Sequence, residues 1–127
     1  MGHDIGVERV YDEVRGEPPP GELFLVDRIW PRGVRKSSLE GVRWVKEAGP
    51  SADLRSWFGH DPDRFEEFAR RYREELSGNR AVLEPILEAA RRGPVTLLYS
   101  ARDEEHNQAV VLRDHLAELL SGRAGGN

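Results

Sequence analysis

Two uninterrupted apolar runs, "ELFLVD" at 22–27 and "VTLLYS" at 95–100, constrain the fold of this chain more than any other feature. A strand with one wet face alternates apolar and polar residues. A strand buried on both faces does not, and such strands belong to parallel sheets covered on both sides. "IGVERVY" at 5–11 adds a shorter strand. Between these runs the helical signals are clear. Ser51 and Gly59 bracket a short helix over 50–59. Asp61 and Pro62 have the N-cap and first-turn chemistry of the next helix, whose stripe is Phe65, Phe68, Ala69, Tyr72 and Leu76 and whose stop is Gly78. A further helix spans roughly 80–92, with Val82, Ile86, Leu87 and Ala90 inward and Pro85 either in its first turn or kinking it. The last helix is expected from about 103 to 120, capped by Ser100 or Asp103, with Ala109, Val110, Leu112, Leu116 and Leu119 buried. "SSLEGVRWVKEAGPS" at 37–51 reads two ways: Ser37 and Glu40 have capping-box spacing, yet Gly41 weakens a helix and "VRWVK" suits a strand.

Alternating strands and helices predict an α/β fold, a single layered domain with a mainly parallel β-sheet flanked by helices. A chain of 127 residues is sized for one such domain over 1–120, with "SGRAGGN" at 121–127 as a flexible tail. "EPPPG" at 17–21 is a loop.

Composition removes several chemistries. There are no cysteines, so disulfides, thiolate metal sites and thiol nucleophiles are excluded. The four histidines, at 3, 60, 106 and 115, show no metal-ligand spacing, and no P-loop, dinucleotide fingerprint or nucleophile elbow occurs. No metal and no cofactor are therefore predicted. The start of the chain lacks a signal-peptide pattern, and no apolar run reaches the length of a membrane span. A soluble, cytoplasmic protein is expected. The net charge of −4 argues against a domain dedicated to non-specific nucleic-acid binding.

In open α/β sheets ligands sit beyond the carboxyl ends of the strands. That rule singles out two clusters. After the first run stand Asp27, Arg28, Trp30 and Arg32; after the second stand Tyr99, His106 and Asn107. Guanidinium forks match carboxylates and phosphates, and a nearby acid orients them. Arg28, Trp30, Arg32, Tyr99 and Asn107 are thus candidate ligand contacts. His106 and Asp27 are candidate acid–base groups, His106 because its ordinary pKa lies near neutrality. His60 is a weaker candidate, and Lys46 and Glu47 flank the same edge. Each has a structural alternative: Asp27 bracing an arginine, tryptophans in the core, His106 and Asn107 as a capping pair.

"RVYD" at 9–12, "VDRIWPRGV" at 26–34, "WVKEAGPSADLRSWFGHDP" at 44–62, "FARRYREEL" at 68–76 and "GPVTLLYSARDEEHNQAVVL" at 93–112 together resemble the DUF488 family, in its short YeaO-like branch. The resemblance runs from about residue 5 to 118 and implies an α/β fold but no activity, the family being one of unknown function. Longer relatives carry an Asp-x-Arg element after a strand and a Cys-His pair at the start of a late helix. Here Asp27-Arg28 stands in the first element, and "DEEHN" lacks the cysteine, so thiol chemistry does not carry over. The resemblance also favours a strand at about 42–47.

The reading that follows is a small domain binding an anionic or polar ligand at the carboxyl edge of its sheet, with acid–base chemistry as an added option. The alternatives are a nucleotide- or nucleic-acid-binding module, for which "DRIWPRGVRK" mixes basic and aromatic residues, and a non-catalytic protein-interaction scaffold. The sequence leaves open the ligand, turnover and the oligomeric state.

Overall fold

The computed structural model of the chain describes residues 5–13 and 21–122. Its strands are β1 (Ile5–Arg9), β2 (Glu22–Leu25), β3 (Val42–Trp44) and β4 (Val95–Tyr99). They form one sheet in the order β1–β4–β2–β3, parallel throughout. All of β4 is buried, as its unbroken apolar run requires. The helices are α1 (Val10–Glu13), α2 (Ala52–Phe58), α3 (Phe65–Ser77), α4 (Arg80–Arg92) and α5 (Gln108–Ser121).

The pleat divides the apolar residues between two layers. Phe24, Val26, Val95, Leu97 and Tyr99 face α2 to α5, where Phe68, Tyr72, Leu83, Ile86, Leu112 and Leu116 complete the larger core. Leu25 and Leu98 face the other way, onto Val10 and Leu39, with Tyr11, Trp30, Val34 and Val42 around them. Helices therefore cover one face; the short α1 and the 26–41 connection cover the other.

Several local readings hold. Ser51 caps α2 by accepting from the Leu54 N–H at 3.2 Å, and Gly59 ends it in the left-handed region. Asp61 accepts from the Asp63 N–H at 3.0 Å and opens a 3-10 turn, Pro62–Arg64, that leads into α3. Pro85 lies beyond the first turn of α4, which continues to Arg92.

One open reading is decided and one expectation is corrected. Of the two readings of 37–51, the capping-box helix does not form. A 3-10 turn, Lys36–Leu39, has Arg35 at its cap without a side-chain bond. Gly41, at φ +85°, then swings the chain into β3, so the strand reading stands for 42–44. The last helix begins at Gln108 rather than near 103, and its cap is Asn107, not Ser100 or Asp103. The reason is local: the Asp103 carboxylate accepts from the N–H groups of Glu105 and His106, both at 2.9 Å, which holds that segment in a turn. α5 runs to Ser121 and closes on Gly122. The rest of the expected tail and most of the proline-rich loop lie outside the described residues.

Candidate functional site

The site starts from one acid. The Val26 N–H bonds to the Leu98 carbonyl at 3.1 Å, so β2 keeps its register for one residue past its end and delivers Asp27 beside Ser100. Asp27 is 6% exposed. Gln108, the first residue of α5, donates its amide to Asp27 Oδ1. Asp27 Oδ2 is buried with no hydrogen-bond partner. Burial raises the pKa of this carboxyl; hydrogen bonding to it by the Ser100 hydroxyl, the Gln108 amide and the Ser100 N–H, with the His60 charge, opposes the rise without cancelling it.

Arg28 turns away from Asp27. Its Nε donates to the Pro50 carbonyl and its Nη2 to the Gly49 carbonyl, both at 2.9 Å. The segment 48–51 is gripped from the other side as well. The Tyr72 hydroxyl donates to the Ala48 carbonyl, and Glu75 accepts from the Ser51 N–H at 2.9 Å and its hydroxyl at 2.5 Å. Gly49 is required by this closeness: a Cβ there would lie 2.9 Å from the Arg28 backbone nitrogen. Trp44 adds a further brace, donating its indole N–H to the Asp27 carbonyl at 2.7 Å.

These braces frame a cleft of about 170 Å³. Its polar lining is Asp27, Arg28, Arg55, His60, Ser100 and Gln108; its apolar wall is Ile29, Pro50, Phe58, Phe68 and Ala101. Arg55, on α2, has its Nε buried and unpartnered. The cleft thus holds an orphaned acceptor and an orphaned donor. Buried polar groups are rarely left so, because each costs about 1–3 kcal/mol. His60 stands at φ +57°, the one non-glycine in that region among the described residues. Such strain concentrates where a side chain must be aimed.

The other candidates from sequence lie elsewhere. Trp30 packs on the loop-covered face, donates to the Val34 carbonyl at 2.7 Å and meets Trp44 edge-on at 5.3 Å. Arg32 is exposed. Tyr99 is buried in the larger core. Asn107 caps α5, accepting from the Val110 N–H at 3.1 Å and donating to the Asp103 carbonyl at 2.8 Å. His106 pairs through Nδ1 with Asp103 at 2.9 Å and sets its ring edge-on to Phe65 at 5.2 Å. The N–H bonds from His106 and Glu105 hold the Asp103 pKa below the ordinary carboxylate value. Of the residues named from sequence as site candidates, the cleft is lined by Asp27, Arg28 and His60. Arg55, Ser100 and Gln108 carried too little sequence signal. Gln108 in particular was assigned to the interior of a helix that in fact starts there. Among the described residues no group of three or more acids and histidines could hold a metal ion.

A family model described as "Inactive DUF488-N3 subclade" matches residues 4–127. The chain belongs to the DUF488 family. This DUF488 chain is 41% identical over 119 residues to uncharacterized proteins of Mycobacterium tuberculosis and Mycobacterium bovis, covering 94% of this chain and 95% of theirs. It is 38% identical over 116 residues to the uncharacterized protein YeaO of Escherichia coli, covering 91% and 99%. No solved structure matches the DUF488 chain significantly. No described helix is long and apolar enough to cross a membrane.

Two consequences of the geometry are measurable. Because the folded-state pKa of Asp27 is raised, the native state holds its proton more tightly than the unfolded chain does. The resulting cost is absent in acid, below the unfolded value near 3.8, and grows as pH rises through the folded pKa. Asp27→Asn removes the charge and faces an amide to the Ser100 hydroxyl. It is expected to gain about 1–2 kcal/mol at neutral pH and nothing in acid, as read by urea unfolding at both. An equal gain at both would place the effect elsewhere. His60→Gly relieves the left-handed strain and is expected to stabilise by about 0.5–1 kcal/mol; a loss in the same assay would mean that the ring is held by contacts that outweigh the strain.

Proposed function

We propose that this chain is a non-catalytic binding domain for a small polar molecule, held in the cleft between Asp27 and Arg55. The observation that carries this reading is the pair of orphaned, buried polar atoms, one acceptor and one donor, on residues lining one cavity. A ligand with an amine or hydroxyl for Asp27 and a carboxylate or phosphate for Arg55 would satisfy both. Its size is bounded. Clefts for drug-sized ligands are about 300–1,000 Å³, and this one is about 170 Å³, so the occupant is nearer an amino acid or a short dicarboxylate than a dinucleotide. The braces on 48–51 support the reading, since they fix the Pro50 wall before any ligand arrives. The word "inactive" in the family description supports binding over turnover.

The test is a thermal-shift screen with amino acids, dicarboxylates, small phosphate esters and inorganic phosphate, on the parent and on Arg55→Met. The variant keeps the stem and loses an unpartnered donor, so it should fold as well as the parent. A ligand at 100 times its Kd stabilises by about 2.7 kcal/mol. A shift seen in the parent and lost in Arg55→Met is expected. A shift retained in full by the variant, or none across the screen, would sink the proposal.

A further inference from the structure

Charge is unevenly distributed over this chain. Residues 28–47 hold six basic side chains, Arg28, Arg32, Arg35, Lys36, Arg43 and Lys46, against the acids Glu40 and Glu47. The segment is therefore net +4 within a chain of net −4. The pairing pattern differs too. Arg55 apart, arginines of the helices are matched with carboxylates: Arg70 and Arg71 with Glu67, Arg73 with Glu118, Arg80 with Glu84, Arg92 with Glu22. Arg32, Arg35, Lys36, Arg43 and Lys46 are all exposed, and none forms an ion pair with another described residue.

An aromatic surface lies beside Lys46, on the face covered by the segment that carries Arg32, Arg35 and Lys36. In β3 the register pairs Arg43 with Phe24 and Trp44 with Leu25. Trp44 consequently stands on the face covered by the 26–41 connection, the segment that carries Arg32, Arg35 and Lys36. It is 39% exposed, meets Trp30 edge-on, and has the Lys46 ammonium 5.7 Å from its ring centroid.

We propose that this face binds single-stranded nucleic acid, with a base stacked on Trp44 and backbone phosphates against Arg32, Arg35, Lys36 and Lys46. Unpaired cations around an exposed indole are the combination such strands require, because every base offers a ring face and every linkage a charge. A single strand fits better than a duplex. The indole can stack only on a base that is not already stacked, and the segment offers no α-helix to enter a groove. The site is separate from the cleft: none of Trp44, Arg32, Arg35, Lys36 and Lys46 lines it.

The test is fluorescence anisotropy of a labelled oligothymidylate about 20 nucleotides long, at about 50 mM salt, with tryptophan emission read alongside. Saturable binding with quenched emission is expected. Four phosphate contacts predict a loss of about 50-fold when salt rises fourfold. The double variant Arg35→Glu with Lys36→Glu, on exposed side chains with no ion pair to a described residue, should weaken binding at least about tenfold. Arg91→Glu with Arg92→Glu, on α4, makes the same change in net charge and should have little effect. The proposal is overturned by no binding, by equal losses in the two double variants, by a duplex binding as tightly, or by polyglutamate binding at least as well.

Discussion

Phe68→Ala is expected to destabilise the chain by about 3–5 kcal/mol, the usual cost of deleting a buried ring. Phe68 is 1% exposed, stacks on Phe58 with ring centroids 4.2 Å apart, and also meets Phe65 and Tyr72. It belongs to the larger core and to the wall of the cleft at once. Little can collapse into the space it leaves, because Phe58 on its other side is fixed by the short helix α2. For a chain of this size the loss is equivalent to a fall in Tm of roughly 10–20 °C. Urea unfolding checks it; a loss below about 1 kcal/mol would mean that the aromatic cluster is looser than its geometry implies.

Gly49→Ala should cost about 1–3 kcal/mol, by steric overlap alone. The glycine backbone, at φ −76° and ψ 162°, suits any residue. The added Cβ would lie 2.9 Å from the Arg28 nitrogen, 3.1 Å from the Val26 carbonyl oxygen and 3.2 Å from the Arg28 Cβ. Two of these are backbone atoms, so the 26–28 and 48–50 segments must separate. The hydrogen bonds from Arg28 to the Gly49 and Pro50 carbonyls are the first to lengthen. The variant should therefore lose stability and ligand response together, whereas Arg55→Met loses the response alone. A Gly49→Ala protein as stable as the parent would show that the two segments are not held at this distance.

The sheet and the helix order were legible in the sequence because they rest on burial. A strand covered on both faces has no freedom to alternate, so "VTLLY" announces β4, and the Phe65-to-Leu76 stripe announces α3. The segment 101–107 was not legible. Helix propensity and three early acids suggest a first turn there, but Asp103 draws the neighbouring N–H groups to its own side chain, and Asn107 then takes the cap. That displacement brings Gln108 to Asp27. The candidate site was half legible for a similar reason. The strand-end rule finds Asp27 and Arg28. It does not say which way a guanidinium will turn, and Arg28 turns to the 48–51 carbonyls while Arg55 reaches the cleft from another element. Trp30 and Arg32 follow Asp27 closely in sequence, yet Trp30 packs against Val10, Leu25, Leu39 and Leu98 on the loop-covered face and not in the cleft.

The cleft around Asp27 and Arg55 is proposed to receive a small polar ligand. The most direct measurement is a set of two-dimensional amide NMR spectra of the isotope-labelled chain, titrated in turn with glutamate, glutarate, glycerol phosphate and inorganic phosphate. Saturable shifts gathered on Arg28, Arg55, His60, Ser100 and Gln108, from at least one of these, are predicted. No saturable shift from any of the four, or shifts gathered instead on Arg35, Lys36 and Trp44, would contradict it.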